Sequence, residues 1–81
     1  MDQQERFELY RIRLRELREE ANISQEKLGM LLFVEQKSIS DYESGRTRTP
    51  VEILIKAARI FDVSMDYICG VTNNRTPFPK E

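Results

Sequence analysis

The sequence predicts an all-α domain of five helices, and three observations lead there. Leucine, isoleucine and arginine-glutamate pairs dominate over the valine, threonine and aromatic residues that strands favour, within a chain that is 40% hydrophobic and 33% charged. Apolar residues recur at spacings of three and four, the period of a helix face. Helix punctuation is in place as well, with Ser24, Pro50 and Ser64 at starts and Gly45 and Gly70 at stops. With 81 residues there is room for one domain, and folding it buries roughly 60–65% of the unfolded surface. Residues 1–70 read as that domain, and residues 71–81, with two prolines and little periodicity, as a tail that is flexible or dimer-contacting.

The first helix is expected over residues 2–21, where Phe7, Tyr10, Leu14, Leu17 and Ala21 form one apolar stripe. Arginines and glutamates fill its other faces, Arg15 and Glu19 are placed for an i,i+4 pair, and Leu9 and Ile12 lie off the stripe. Asn22 and Ile23 break the pattern. Ser24 then caps a second helix that Glu26 suits electrostatically, buries through Leu28, Leu31 and Leu32, and ends before Phe33 and Val34. A third helix over residues 36–44 has only Ile39 and Tyr42 as an apolar edge, so most of it is expected in solvent, and Gly45 stops it in the left-handed region. Beyond the polar loop Arg46, Thr47 and Arg48, the run Thr49, Pro50, Val51, Glu52 reads as N-cap, N1 proline and capping-box glutamate. The fourth helix, with Ile53, Leu54, Ile55, Ala57, Ala58, Ile60 and Phe61, is apolar on more than one side and is expected to be the central packing element. Ser64 caps a last short helix over residues 65–69, which Gly70 ends.

Composition closes several functional classes. No apolar run is long enough to span a bilayer, and the start MDQQERFELY lacks the basic-then-apolar order of a signal peptide, so a cytoplasmic location is expected. Cys69 is the sole cysteine and there is no histidine, so neither an internal disulfide nor the common zinc and Cys-His arrangements are available. Nucleophile-base pairs, glycine-rich phosphate loops and metal clusters are absent from the sequence pattern, so neither an enzyme nor a cofactor or small-molecule substrate is expected. Net charge is −1, from 13 basic and 14 acidic side chains, which makes the placement of charge, and not its sum, the deciding matter for nucleic-acid binding.

Two short helices joined by about three residues match a helix-turn-helix layout, in which the second helix enters a major groove about 12 Å wide. The residues go further. The run 23-ISQEKLGMLLFVEQKSISDYESG-45 followed by 54-LIKAARIFDVSMDYICG-70 resembles the lambda-repressor/Cro-type (XRE) helix-turn-helix family of bacterial and phage transcriptional regulators. The likeness rests on Ser24 and Gln25 opening the second helix, Val34 in the turn, Ile39 and Ser40, the Tyr42-Glu43-x-Gly45 ending, and Ala58, Phe61, Val63, Asp66 and Tyr67 beyond. It implies a compact five-helix bundle that binds double-stranded DNA as a homodimer on a two-fold symmetric operator. It puts Gln25 against a phosphate or a neighbouring recognition residue, and Gln36, Lys37, Ser40 and Asp41 on the groove-facing side of the third helix, where Ser38 is a further DNA-binding candidate. Side-chain chemistry agrees: glutamine reads adenine N6/N7, lysine reaches guanine O6/N7, and aspartate accepts from cytosine N4. The family pattern also pairs Glu43 with Arg18 inside the fold. Arg46 and Arg48 are then the candidates for phosphate or minor-groove contact, and Met65, Tyr67, Ile68, Val71 and Phe78 for dimer contacts.

Three residues depart from the family pattern. Phe33 occupies a turn position usually held by glycine, which calls for a non-positive φ or for strain. Glu35 stands in place of a serine or threonine cap and brings negative charge toward the groove, and Gly29 replaces an alanine at about 1 kcal/mol of helix propensity. The expected function is a sequence-specific DNA-binding regulator, acting as a repressor by occupancy. The alternative is a protein-interaction module of the same fold, of antitoxin or anti-repressor type, supported by the balance of four basic and four acidic residues between Ser24 and Arg48.

Overall fold

Each helix ends the same way in the computed structural model, which describes the backbone of residues 3–77 and side chains from Ile12 onward. One residue turns into the left-handed region while the next amide reaches back five residues to a helix carbonyl, the closure that satisfies otherwise orphaned carbonyls. Gly45 (φ 80°) and Gly70 (φ 82°) do so at no steric cost, whereas Asn22 (φ 57°), Phe33 (φ 60°) and Asp62 (φ 53°) do so as non-glycine residues. The back-bonds run from Ile23 N to Arg18 O, Val34 N to Gly29 O, Arg46 N to Asp41 O, Val63 N to Ala58 O and Val71 N to Asp66 O, at 2.8–3.3 Å. Of the two options open to Phe33, the backbone therefore takes strain.

The five elements so delimited are α1 (Gln3–Glu20), α2 (Gln25–Leu32), α3 (Gln36–Ser44), α4 (Val51–Phe61) and α5 (Met65–Ile68). No strand occurs among the described residues. Ser24 caps α2 by accepting from Lys27 N at 3.0 Å, and Ser64 caps α5 by accepting from Tyr67 N at 2.9 Å. The start of α4 differs from expectation. Pro50 itself is the cap residue, at ψ 149° with no side-chain cap bond, and its carbonyl accepts from Ile53 N and Leu54 N. An extended ψ keeps the ring outside the helix, so Thr49 is not the cap and Glu52 stands one place too early for a capping box.

Leu14 and Leu17 of α1, Leu28 and Leu32 of α2, Ile39 of α3, Ile53, Leu54 and Ala57 of α4 and Ile68 of α5 converge on one core. Three expectations about burial are corrected. Leu31 and Ala21 are exposed, and the buried side of α2 is completed by Gly29. A Cβ on Gly29 would stand 2.7 Å from the Val34 carbonyl oxygen, so the glycine lets the turn into α3 close tightly over α2, and its role is steric in addition to its cost in propensity. The fourth helix buries a single face, since Val51, Ile55 and Ile60 remain exposed.

Arg13, one of the arginines expected on the other faces of α1, does not face solvent. It is buried, donates to the Tyr67 and Thr72 carbonyls and to Asn73 Oδ1, and lies 4.1 Å from the Tyr67 ring centre. Arg75 stacks on the same ring at 5.0 Å and forks onto Glu20 with two bonds of 2.8 Å. Ser64 N donates to the Arg75 carbonyl at 2.8 Å. Residues 72–75 of the tail thus lie against their own domain, because buried guanidinium and amide donors require partners and the tail carbonyls supply them. Tyr67 and Ile68, expected at a dimer surface, are correspondingly core residues. Phe78 and the side chains of Phe7, Leu9 and Tyr10 lie outside the described residues.

Candidate nucleic-acid interface

The α2-turn-α3 unit is held from behind by one carboxylate. Glu43, buried in the last turn of α3, accepts from Arg18 Nε at 2.7 Å and Arg18 Nη2 at 3.0 Å, while Arg18 Nη1 donates to the Ile23 carbonyl at 2.9 Å. Gln25 Nε2 donates to the same carboxylate at 3.1 Å. Three helices are therefore tied through Glu43: α1 by Arg18, α2 by Gln25 and α3 by Glu43 itself. Hydrogen bonding to Glu43 raises the Arg18 guanidinium above its ordinary value and outweighs the opposing effect of burial. The negative charge of Glu43 is spent inside the fold and does not face a phosphate backbone.

With Ile39 and Glu43 turned inward, the adjoining side of α3 presents Gln36, Lys37, Ser40 and Ser44, all exposed, at the spacing i, i+1, i+4 and i+8. Ser38 is half-buried at the edge of this face. Asp41 is also half-buried and leans toward the helix end, 3.8 Å from Arg46 Nε. Ser44 escaped the sequence reading, although its position four residues after Ser40 marks it as part of the same stripe. Its hydroxyl donates to the Asp41 carbonyl at 3.2 Å.

The loop beyond α3 is pinned and not loose. Arg46 N and Thr47 N both donate to the Asp41 carbonyl, at 3.0 and 3.4 Å. Arg46 itself is exposed, and so is Arg48. These cations sit at the C-terminal end of α3, while Gln25 stands in the first turn of α2 with one amide N–H committed to Glu43 and a second that the same nitrogen carries. At the other end of α3, Glu35 has the extended backbone of a cap residue but makes no cap bond, as its side-chain type leads one to expect. Met30 and Phe33 are exposed at 64% and 84%, and Lys56 lies 5.5 Å over the Phe33 ring. Among the described residues no group of His, Cys, Asp and Glu could hold a metal ion, and no helix is long and apolar enough to cross a membrane.

Such a frame, two short helices locked at a tight turn with a polar face on the second, has counterparts among known proteins. A helix-turn-helix family model matches residues 14–68. The chain is 35% identical over 69 residues to YobD of Bacillus subtilis (strain 168), named as an uncharacterized HTH-type transcriptional regulator, a match covering 85% of this chain and 62% of that protein. It is 49% identical over 49 residues to a protein of Methanosphaerula palustris named as an HTH-type transcriptional regulatory protein, covering 60% of this chain and 16% of the relative. The matches thus span less than two thirds of each relative's length, and no solved structure gives a significant match. The extent of the family match, taken with the Arg18/Glu43 lock and the exposed face of α3, shows that this chain belongs to the XRE-type helix-turn-helix family of DNA-binding transcriptional regulators.

Proposed function

We propose that the chain is a sequence-specific repressor that binds a two-fold symmetric operator as a homodimer, with α3 in the major groove. The observation that carries this reading is the exposed polar face of α3 on a frame fixed by Glu43. Gln36 reads adenine and Lys37 guanine, with Ser40 and Ser44 as shorter donors or acceptors along the same groove. Arg46 and Arg48 contact phosphates or the minor groove, and Gln25 offers its second N–H to a phosphate at the other end. Asp41 selects for cytosine, and its closeness to Arg46 screens its charge from the backbone. Repression follows from occupancy of a promoter, with no chemistry.

Few cations face the DNA in each subunit. Because log K falls with log salt at a slope of about −0.9 per neutralised phosphate, two to four contacts per subunit give weak binding alone, and two linked subunits are needed at cellular ionic strength. Half-sites are then expected about one helical turn apart, on the order of 10 bp. The test is selection of genomic fragments by the purified protein near physiological salt, beside a Gln36→Ala/Lys37→Ala variant. A single symmetric site that the variant loses supports the reading, and no enrichment by a folded protein sinks it. The second reading, a protein-interaction module, draws on Met30 and Phe33, whose exposure next to the turn offers an apolar contact. It predicts DNA binding with little salt dependence or none.

A further inference from the structure

We propose that the open groove between α4 and α5 is a binding site for a small zwitterion with an apolar body, of the class of an apolar α-amino acid. None of its lining residues belongs to α3, so the inference does not rest on the DNA reading above. The groove has a volume of about 460 Å³, toward the small end of the roughly 300–1,000 Å³ in which small-molecule sites fall. Buried Ala58 and Val63 line it, with Ile55, Met65 and Pro77 as further apolar walls.

The polar groups of the groove select the occupant. Ser64 is saturated, since its hydroxyl accepts from Tyr67 N at 2.9 Å and donates to the Asn74 carbonyl at 3.1 Å. Arg59 and Asp62 also line the groove, both exposed, and among the described residues neither has an ion-pair partner. The two stand one turn apart, with Asp62 N donating to the Arg59 carbonyl at 3.3 Å, yet their side chains do not pair with each other. An open cation and an open anion are thus neighbours beside an apolar surface. A purely apolar ligand leaves both charges unmatched, and a ligand of one sign meets its like charge next to the group it pairs with. A nucleic-acid backbone fails on the second count, through Asp62. An α-amino acid carries its carboxylate and ammonium on one carbon. Arg59 then takes the carboxylate and Asp62 the ammonium, while the apolar side chain lies on Ala58 and Val63.

Titration of the isotope-labelled full chain with L-phenylalanine and L-leucine, followed through its amide NMR shifts, tests the site. Saturable shifts centred on residues 55–65 are expected, with a dissociation constant of about 1 mM or tighter. Phenylalaninamide, which lacks the carboxylate, and N-acetylphenylalanine, which lacks the ammonium, should each bind at least about threefold more weakly. In Arg59→Gln the preference for phenylalanine over its amide should disappear while the preference over the N-acetyl compound stays, and Asp62→Asn should do the reverse. Both side chains are exposed, and asparagine tolerates the positive φ of Asp62, so the two variants keep the fold. Absence of saturable shifts up to about 10 mM ligand overturns the proposal. Equal binding of the three phenylalanine compounds does so too, because it makes the groove an unselective apolar surface. So do shifts of these amides that follow protein concentration and not ligand, which show a second copy covering the groove.

Discussion

Glu43 is the residue whose loss is expected to cost most. Its side chain is 5% exposed and that of Arg18 14%, so removing the carboxylate leaves a guanidinium in a partly dry site with its charge unmatched. Glu43→Ala should destabilise by about 3 kcal/mol in urea unfolding, whereas replacing both partners, Arg18→Met with Glu43→Leu, should cost much less. Gly29 makes a prediction of opposite sign to helix propensity. Alanine is the better helix former by about 1 kcal/mol, yet its Cβ meets the Val34 carbonyl at 2.7 Å, so Gly29→Ala should destabilise by about 1–3 kcal/mol through displacement of the turn. The Arg18/Glu43 pair was legible in the sequence because the family pattern supplies both partners. The role of Gly29 was not, because a contact between a helix and a carbonyl five residues on depends on the backbone path of the turn. The same path fixes the positive φ of Phe33, which residue type alone argues against.

At the scale of elements, the positions of all five helices were readable from punctuation and period, and the serine caps before α2 and α5 behave as their residue type dictates. The misreading at α4 has a local cause. Thr49 and Pro50 compete for one cap position, and the extended ψ of Pro50 decides it. Helix α3 enters with a defective cap, since Glu35 makes no side-chain bond to the first turn. Glu35→Ser is therefore expected to stabilise by about 1 kcal/mol in thermal or urea unfolding. In the proposed complex it should also tighten DNA binding, measured by fluorescence anisotropy, because a negative charge leaves the groove-facing end. Beyond its cap, what the sequence misjudged in α4 is burial, which is on one side only. Apolar residues on two faces of a helix signal either a central element or a surface awaiting a partner, and periodicity does not separate the two.

For the whole molecule, the unexpected feature is the closure of residues 72–75 onto α1 and α5 through Arg13, Glu20, Tyr67 and Arg75. Long-range side-chain contacts of this kind have no period, so nothing in the spacing of residues announces them. The Glu20 carboxyl is held below its ordinary value by the bonds from Arg75, so the stabilisation it gives is present above the usual carboxylate range and fades as pH falls through the lowered value. Comparing the native protein with Glu20→Gln by unfolding at neutral and acid pH should show a small difference that vanishes in acid; its exposure to solvent keeps it small. Burial, with Asp66 nearby, pushes the Cys69 thiol up, and it should react slowly with thiol reagents at neutral pH. The clasp on Tyr67 has an optical consequence. The chain has no tryptophan and only three tyrosines, so a tyrosine ring held against two guanidinium groups gives the protein an intrinsic chromophore in a rigid, chiral setting. Near-ultraviolet circular dichroism can therefore follow the undocking of the tail without any label.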